Sequence, residues 1–268
     1  MTKMPTRFPV GLDRLQRGAR EPGAELLRPQ RPLHEAARDA ARHKAPSGIG
    51  LDSQAVRSRM VERIAAGGVR CAPVLDALGK VPRHLFVDTA LATQAYEDTS
   101  LPIGHRQTIS KPSVVARMLE LLFGGETART RGNLGAVLEI GTGCGYQAAL
   151  LALLAPVVVS IERLKPLHDK ARANLAGWRA GDIRLLHGDG RIGHEARAPY
   201  DSILAAAGGD ELPRAWLEQL AEGGRLVAPM HEAEAGGQSL LVIDKRGGRL
   251  LRQRHDAVHF VPLKSGTE

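Results

Sequence analysis

Apolar residues follow helical spacing in the first part of the chain after residue 50. They recur about every fourth position at Leu51, Val56, Met60 and Ile64. This predicts a helix that begins after an N-cap at Asp52 and ends at Gly67-Gly68. Two further helices are predicted over Ala72–Leu78 and Ser113–Phe123, the second started by Pro112. Polar and turn-forming residues predict a loop over residues 89–111 and a linker over residues 124–135.

From residue 136 the pattern alternates between short apolar runs and helical segments. The predicted strands are Val137–Ile140, Val157–Ile161, Ile183–Leu186, Ser202–Ala207 and Arg225–Pro229. The predicted helices between them are Gln147–Leu154, Pro166–Ala180 and Pro213–Leu220. Strands that alternate with helices predict an α/β fold, a doubly wound parallel sheet with helices on both faces. Three more strands, Ser239–Asp244, Leu250–Arg254 and Val258–Val261, predict an antiparallel addition at one edge.

Three glycines at alternate positions, Gly141, Gly143 and Gly145, follow the first strand of this alternation. A tight turn that leads into a helix N-terminus is how an α/β sheet binds a nucleotide-like ligand. A dinucleotide site needs a third glycine where Tyr146 stands, which argues against NAD. The chain has no Gly-Lys-Ser/Thr triplet, so an ATP-binding P-loop is excluded.

Two acidic residues follow the next two strands. Glu162 ends the second strand, where a carboxylate can accept hydrogen bonds from both hydroxyls of a ribose, and Asp189 follows the third, near a possible adenine edge. A single acid in this position is usually a solvated loop residue. Three correctly ordered loops at the carboxyl edge of one sheet favour the S-adenosylmethionine site of a class I methyltransferase.

Composition and charge restrict the classes of protein that remain. Of the 268 residues, 43% are hydrophobic, and no apolar run is long enough to span a membrane. The N-terminus has no apolar signal region, and Cys144 lies inside the glycine turn, so a cytoplasmic protein is expected. We also expect a monomer with no membrane partner.

The net charge of +8 is concentrated in the first 50 residues, which carry ten basic and five acidic side chains. This Arg- and Pro-rich segment is predicted to be a disordered extension with one short helix over Leu33–His43. It could also tether RNA or an acidic partner, or be an organellar transit peptide, although its acidic residues argue against the transit peptide. The remaining chain has a small excess of positive charge, so it predicts no nucleic-acid groove.

Several segments together resemble the protein-L-isoaspartate (D-aspartate) O-methyltransferase family. They are Val81–Asp88, Ala95–Asp98, Leu101–Gly104, Gln107–Pro112, Val137–Gln147, His187–Gly190, Ala198–Asp201, Glu222–Leu226 and Phe260–Leu263. The glycine turn is shared by many methyltransferases, whereas the pair Leu101–Gly104 and Gln107–Pro112 is much more specific. The resemblance covers about residues 52–265. It implies a methyltransferase domain over 51–268, with an N-terminal helical and substrate-loop region (51–124), a cofactor-binding core (136–230) and C-terminal strands (231–268).

The resemblance also implies the site. Ser110 matches the active-site serine, and Val261, Pro262 and Leu263 match a segment that pairs with the substrate backbone. The residues implied to bind S-adenosylmethionine are Thr108, Ile109, Glu139, Gly141, Thr142, Gly143, Cys144, Gly145, Glu162, Arg163, Asp189 and Gly190. His105 and Arg106 either neutralise an anionic peptide or belong to a solvated loop. No histidine spacing indicates a metal site.

The implied reaction methylates the free carboxylate of L-isoaspartyl or D-aspartyl residues in damaged proteins and peptides. A carboxylate with a pKa of about 4 is already ionised at neutral pH, so the enzyme needs no general base. The ester is then expected to collapse through a succinimide, which begins repair. Two departures from the family stand out: Cys144 replaces a smaller residue, and Gly208-Gly209-Asp210 replaces a proline-containing loop.

Two other readings of the sequence remain. The generic cofactor loops and the basic extension also suit an S-adenosylmethionine-dependent methyltransferase that acts on RNA or a small molecule. A binding module without turnover would keep the fold, but the presence of Ser110, Glu162 and Asp189 argues against such a loss of activity.

Overall fold

The structure is a computed structural model that describes residues 54–232 and 237–268. The predicted N-terminal extension, its helix Leu33–His43 and the Asp52 N-cap lie outside these residues. Among the helices within them, none is long and apolar enough to cross a lipid bilayer.

The first part of the described chain is helical, as predicted. Helix α1 (Gln54–Ala66), α2 (Ala72–Lys80) and α3 (Pro112–Phe123) begin and end close to the expected residues. The predicted linker contains a further short helix, α4 (Glu126–Arg131). With only six residues, α4 shows no clear apolar period, although its glutamate and arginines suit the two ends of a helix dipole.

The predicted loop over residues 89–111 is also more ordered than expected. It contains a 3₁₀ helix at Thr89–Gln94 and a hairpin of two strands, β1 (Leu101–Gly104) and β2 (Gln107–Ile109). The hairpin turns at His105 and Arg106, whose φ angles are 51° and 58°. Such turns usually contain Asn or Gly, so this sequence gave no hairpin signal.

A seven-stranded sheet forms the centre of the molecule, in the order β5-β4-β3-β6-β7-β8-β9. The strands are β3 (Ala136–Ile140), β4 (Val157–Glu162), β5 (Asp182–His187), β6 (Tyr200–Ala205), β7 (Leu220–Glu232), β8 (Gly237–Arg246) and β9 (Arg249–Val258). Strands β3 to β7 pair in parallel, whereas β8 and β9 join antiparallel. Helices α5 (Tyr146–Leu154), α6 (Lys165–Leu175) and α7 (Arg214–Gln219) connect the parallel strands. The predicted α/β fold is confirmed.

Alternate residues of the central strands belong to two separate apolar clusters. In β3, Val137 packs with helices α2, α3 and α5, whereas Leu138 and Ile140 pack with Trp216 of α7. The same alternation continues in β4 and β6. Both faces of the sheet are therefore buried at these central strands, which is why their sequences are continuous apolar runs.

Several predicted boundaries are wrong; β7, for example, begins at Leu220 rather than Arg225, and β9 ends at Val258 rather than Arg254. Helix α6 ends at Leu175 rather than Ala180, because the chain turns at Ala176 to Trp178. The predicted strand Val258–Val261 does not form: β9 continues to Val258 and the chain then leaves the sheet. Beyond β9, Pro262 makes an isolated parallel bridge with Gly208, which lies in the loop after β6.

Candidate functional site

The glycine turn follows β3 and leads directly into α5. Gly141 and Gly145 both have φ of 91°, a left-handed conformation that favours glycine. A Cβ on Gly145 would also lie 3.0 Å from Leu175 of α6. The turn thus depends on glycine for its backbone shape and, at Gly145, for close packing against the next helix. It exposes main-chain atoms to the space beyond the sheet edge.

Glu162 ties this turn to the loop after β4. Its carboxylate accepts hydrogen bonds from the backbone N–H groups of Gly143 and Leu164, each at 2.9 Å. The side chain is 5% exposed, and it forms part of a cavity wall. Each carboxylate oxygen can accept more than one hydrogen bond, so Glu162 retains capacity for the hydroxyl groups of a ligand.

Glu139 lies under the turn, outside the cavity wall. It is fully buried and accepts hydrogen bonds from Ser160 Oγ at 2.5 Å and from Gln147 Nε2 at 3.1 Å. Ser160 in turn meets the Thr142 hydroxyl at 2.6 Å. Burial raises the pKa of Glu139 to about 7, against the hydrogen bonds from Ser160 and Gln147 that lower it. Glu139 therefore acts on the glycine turn through Ser160 and Gln147.

A cavity of about 560 Å³ opens above the glycine turn, within the usual range for small-molecule sites. Most of the predicted site residues line it: Thr108, Ile109, Ser110, Gly141, Thr142, Gly143, Cys144, Glu162, Arg163, Gly190, Val261, Pro262 and Leu263. Three predicted cofactor residues, Glu139, Gly145 and Asp189, are not part of its wall. Asp189 instead accepts hydrogen bonds from the N–H groups of Arg191 and Gly266.

Ser110 reaches the cavity from the end of the β1–β2 hairpin. Among the described residues, none makes a hydrogen bond with its hydroxyl, whereas its carbonyl oxygen accepts one from Arg83 Nη2 at 2.8 Å. His105 and Arg106, at the turn of the hairpin, also line the cavity and are exposed at its rim. The guanidinium of Arg106 thus provides a positive charge at this rim.

Arg83 contacts the Ser110 loop from outside the cavity, and it was not predicted from the sequence as a site residue. Its side chain is completely buried, and Nε donates to the carbonyl oxygen of Ala95 at 2.7 Å. The guanidinium carbon also lies 4.9 Å from the ring centre of Tyr146, the first residue of α5. One buried cation thus links the Ser110 loop to the helix that follows the glycine turn. The contact between Arg83 and the loop that contains Ser110 could be recognised only from the three-dimensional structure.

The segment after β9 forms a further part of the cavity wall. Gly208 N donates to Val261 O at 2.8 Å, and Leu263 N donates to Gly208 O. Further along, Arg163 binds the Glu268 carboxylate at 2.8 Å. The residues after Pro262 are therefore fastened to three loops at the carboxyl edge of the sheet, those that follow β4, β5 and β6.

The cavity suits a transfer that needs positioning rather than a strong base. Burial raises the pKa of the Cys144 thiol and raises that of the Tyr146 phenol to about 12, so both stay protonated at neutral pH. Within residues 54–232 and 237–268, no three or more His, Cys, Asp or Glu residues are grouped as metal ligands. What the wall offers is hydrogen-bond donors, one buried carboxylate and apolar side chains.

Comparisons with known proteins place the chain among methyltransferases. Residues 55–268 match the family model described as protein-L-isoaspartate(D-aspartate) O-methyltransferase. A relative named protein-L-isoaspartate O-methyltransferase from Methylibium petroleiphilum is 61% identical over 98% of this chain and 97% of its own length. Another of the same name from Leptothrix cholodnii is 61% identical over 90% of this chain and 84% of its own.

Two solved structures share the fold. One, titled protein-L-isoaspartate O-methyltransferase, superposes with a TM-score of 0.69 at 27% identity and covers 78% of this chain and 66% of its own. The other, from Plasmodium falciparum and described as a putative enzyme of this kind in complex with S-adenosyl-L-homocysteine, has a TM-score of 0.66 at 24% identity. It covers 78% of this chain and 98% of its own.

Proposed function

The chain belongs to the protein-L-isoaspartate(D-aspartate) O-methyltransferase family, and from this membership we propose its reaction. It transfers a methyl group from S-adenosylmethionine to the free carboxylate of L-isoaspartyl and D-aspartyl residues in damaged proteins and peptides. The observation that carries the proposal is that one cavity brings together the glycine turn, Ser110 and the segment at Val261. A cofactor loop alone would suit many methyltransferases.

S-adenosylmethionine, when bound, supplies an electrophilic methyl group on a sulfonium. The residues present suit it: Glu162 has hydrogen-bonding capacity for ribose hydroxyls, and Gly141 to Gly143 bring main-chain atoms to the wall. We assign the cofactor to this side of the cavity, with Thr108, Ile109, Arg163 and Gly190 as further wall residues. Glu139 and Gly145 contribute from behind the wall by shaping the turn.

The substrate carboxylate requires orientation rather than deprotonation, because it is ionised at neutral pH. We assign this task to the Ser110 hydroxyl, which is free among the described residues to donate a hydrogen bond to the carboxylate. The main chain of Val261 to Leu263 borders the same space and is assigned to the substrate backbone. Orienting two reactants in this way can lower a barrier by about 7–11 kcal/mol in favourable systems.

A peptide pair tests the reaction. The enzyme is incubated with methyl-labelled S-adenosylmethionine and either an isoaspartyl peptide or its normal aspartyl twin. We expect label only on the isoaspartyl peptide, released as methanol by mild base because the product is an ester. Equal labelling of both peptides, or of neither, would contradict the proposal. Labelling of an added RNA instead would favour the alternative substrate class.

We further propose that the chain acts as a monomer, in which the glycine turn, Ser110 and Val261 of the same chain form one active site. The free thiols of Cys71 and Cys144 suit a reducing compartment such as the cytoplasm. Analytical ultracentrifugation of the full chain, at concentrations that span the assay range, checks the first point. A dimer that dissociates together with activity would contradict it.

A further inference from the structure

Gln238, near the start of β8, holds the chain where it leaves the sheet after β9. Its side-chain Oε1 accepts a hydrogen bond from Phe260 N at 2.6 Å, and its Nε2 donates to Phe260 O at 3.3 Å. A side-chain amide has the same donor and acceptor as a peptide group. Gln238 therefore satisfies both backbone groups of Phe260, as a neighbouring strand would.

Gly208 binds the same segment two residues further on, around Pro262. Its N–H and carbonyl groups bind Val261 O and Leu263 N, and no regular strand forms there. Pro262, between these two residues, has no N–H to donate. The segment that borders the cavity at Val261 to Leu263 thus depends on two anchors, the Gln238 amide before it and the Gly208 backbone within it.

The two anchors are also in contact with each other. A Cβ built on Gly208 would lie 2.5 Å from Gln238 Nε2, and its three nearest heavy atoms all belong to the Gln238 side chain. Any residue larger than glycine at 208 would thus displace the amide from Phe260. This contact gives a physical reason for glycine at the first position where the loop departs from its family's pattern.

We infer that Gln238 is a positioning residue for the substrate, because its hydrogen bonds to Phe260 fix the position of the Val261–Leu263 main chain beside the cavity. The inference rests on the proposed function, in which that main chain pairs with the isoaspartyl peptide. Within the described part of the chain, Gln238 is not part of the cavity wall and makes no hydrogen bond with the glycine turn. Its loss is therefore expected to change peptide binding more than cofactor binding or the chemical step.

The first test compares Gln238→Met with Gln253→Met in the full chain. Methionine has nearly the shape of glutamine but cannot replace its two hydrogen bonds, and Gln253 is an exposed residue of the adjacent strand β9. For Gln238→Met we expect the KM for the isoaspartyl peptide to rise about tenfold, the effect of losing one or two net hydrogen bonds. The kcat and the Kd for S-adenosylmethionine should change less than about twofold, and Gln253→Met should match the wild type throughout.

The second test is a double-mutant cycle with Gly208→Ala and Gln238→Ala. The first change pushes the amide away from Phe260 and the second removes it, so each should raise KM alone. Together they should raise it no further, because the alanine at 208 then meets no side chain at 238. Additive effects of the two changes on KM would overturn the inference.

The outcomes separate this inference from the reaction on which it rests. If the wild type shows no preference for the isoaspartyl peptide, the proposed function fails. If the wild type shows that preference and Gln238→Met retains its KM, only the role of Gln238 fails. A parallel loss of kcat, peptide affinity, cofactor affinity and thermal stability would make Gln238 a general structural residue and would also overturn the inference. Should Gln238→Met not fold, the Gly208→Ala variant, which keeps every hydrogen-bonding group, provides the same KM comparison.

Discussion

The two sides of the cavity are built in different ways. The centre of the cofactor side is formed by the loops that directly follow β3 and β4, and Glu162 binds the backbone of both. The substrate side is assembled from Ser110 and the segment at Val261, which lie far apart in the chain. These are held by contacts of distant side chains, Arg83 for the first and Gln238 for the second.

Because the two sides are built differently, we expect that mutations can separate cofactor binding from substrate binding. The cofactor loops are extensions of buried strands, so a change there alters the turn itself. The substrate segments stand outside the main sheet, and a distant side chain helps to hold each of them in position. We therefore expect variants on one side to leave the ligand of the other side largely unaffected, apart from Arg83, which contacts both.

Arg83→Met should have the largest effect and should break the separation. It removes charged hydrogen bonds to Ala95 O and Ser110 O and leaves these carbonyls without their donor. We expect a loss of about 3 kcal/mol in the free energy of unfolding, together with reduced turnover. Urea denaturation and peptide kinetics measure the two effects. The matched control is Arg252→Met at an exposed position, whose free energy of unfolding should stay within about 0.5 kcal/mol of the wild type. An equal effect of both variants would refute the role of Arg83.

Glu162→Gln tests the cofactor side alone. The amide can accept only one of the two backbone hydrogen bonds, and its NH₂ group faces another donor. We expect the Kd for S-adenosylmethionine to rise about 100-fold, or about 2.7 kcal/mol. Isothermal titration calorimetry measures it, with the exposed Glu218→Gln as control. An unchanged Kd would show that the loop after β4 does not bind the cofactor.

Ser110→Ala tests the substrate side alone. The change removes one oriented donor but keeps the carbonyl oxygen that Arg83 binds. We expect kcat to fall about 10- to 30-fold, or about 1.4–2 kcal/mol, while the Kd for the cofactor and the unfolding midpoint remain those of the wild type. Single-turnover kinetics with the isoaspartyl peptide measure the step, and Ser100→Ala, at an exposed position before the hairpin, is the control. Full activity of Ser110→Ala would remove this residue from the mechanism.

Glu139→Gln should have the smallest effect on the binding of either ligand and should instead change the pH dependence of stability. Burial raises the pKa of Glu139 from 4.5 to about 7. Between pH 4.5 and about pH 7 the folded state therefore keeps a proton on Glu139 that the unfolded state has lost. Its contribution is therefore fully present below about pH 4.5 and is lost as the pH rises through about 7. The neutral glutamine should flatten this part of the profile and make the protein relatively more stable above pH 7. Urea denaturation at pH 5, 6, 7 and 8 measures the slopes; identical slopes for both proteins would contradict a shifted carboxyl group.

Several elements of the fold could be predicted because their signals are local. The glycine turn, the strands of the parallel sheet and the helices α1 to α3 follow from apolar period and turn residues within a few positions of each other. The hairpin at His105 and Arg106 and the short helix α4 could not, because neither has a favoured turn residue or a full apolar period. The false strand at Val258–Val261 has strand-forming residues, but Phe260 is bound by a side chain in place of a strand.

For the site, the amino-acid pattern alone identified the chemical groups that are present. It also placed the glycine turn and Glu162 at one edge of the sheet, because parallel strands end together. The positions of Glu139 and Asp189 outside the cavity wall became clear only in three dimensions. Glu139 binds Ser160 of β4 and Gln147 of α5, and Asp189 binds the N–H group of the distant Gly266. Only the tertiary structure likewise revealed Arg83 and Gln238 as supports of the substrate side. A buried arginine and a half-buried glutamine have no signature in one dimension, because the carbonyl and N–H groups that they satisfy come from distant parts of the chain.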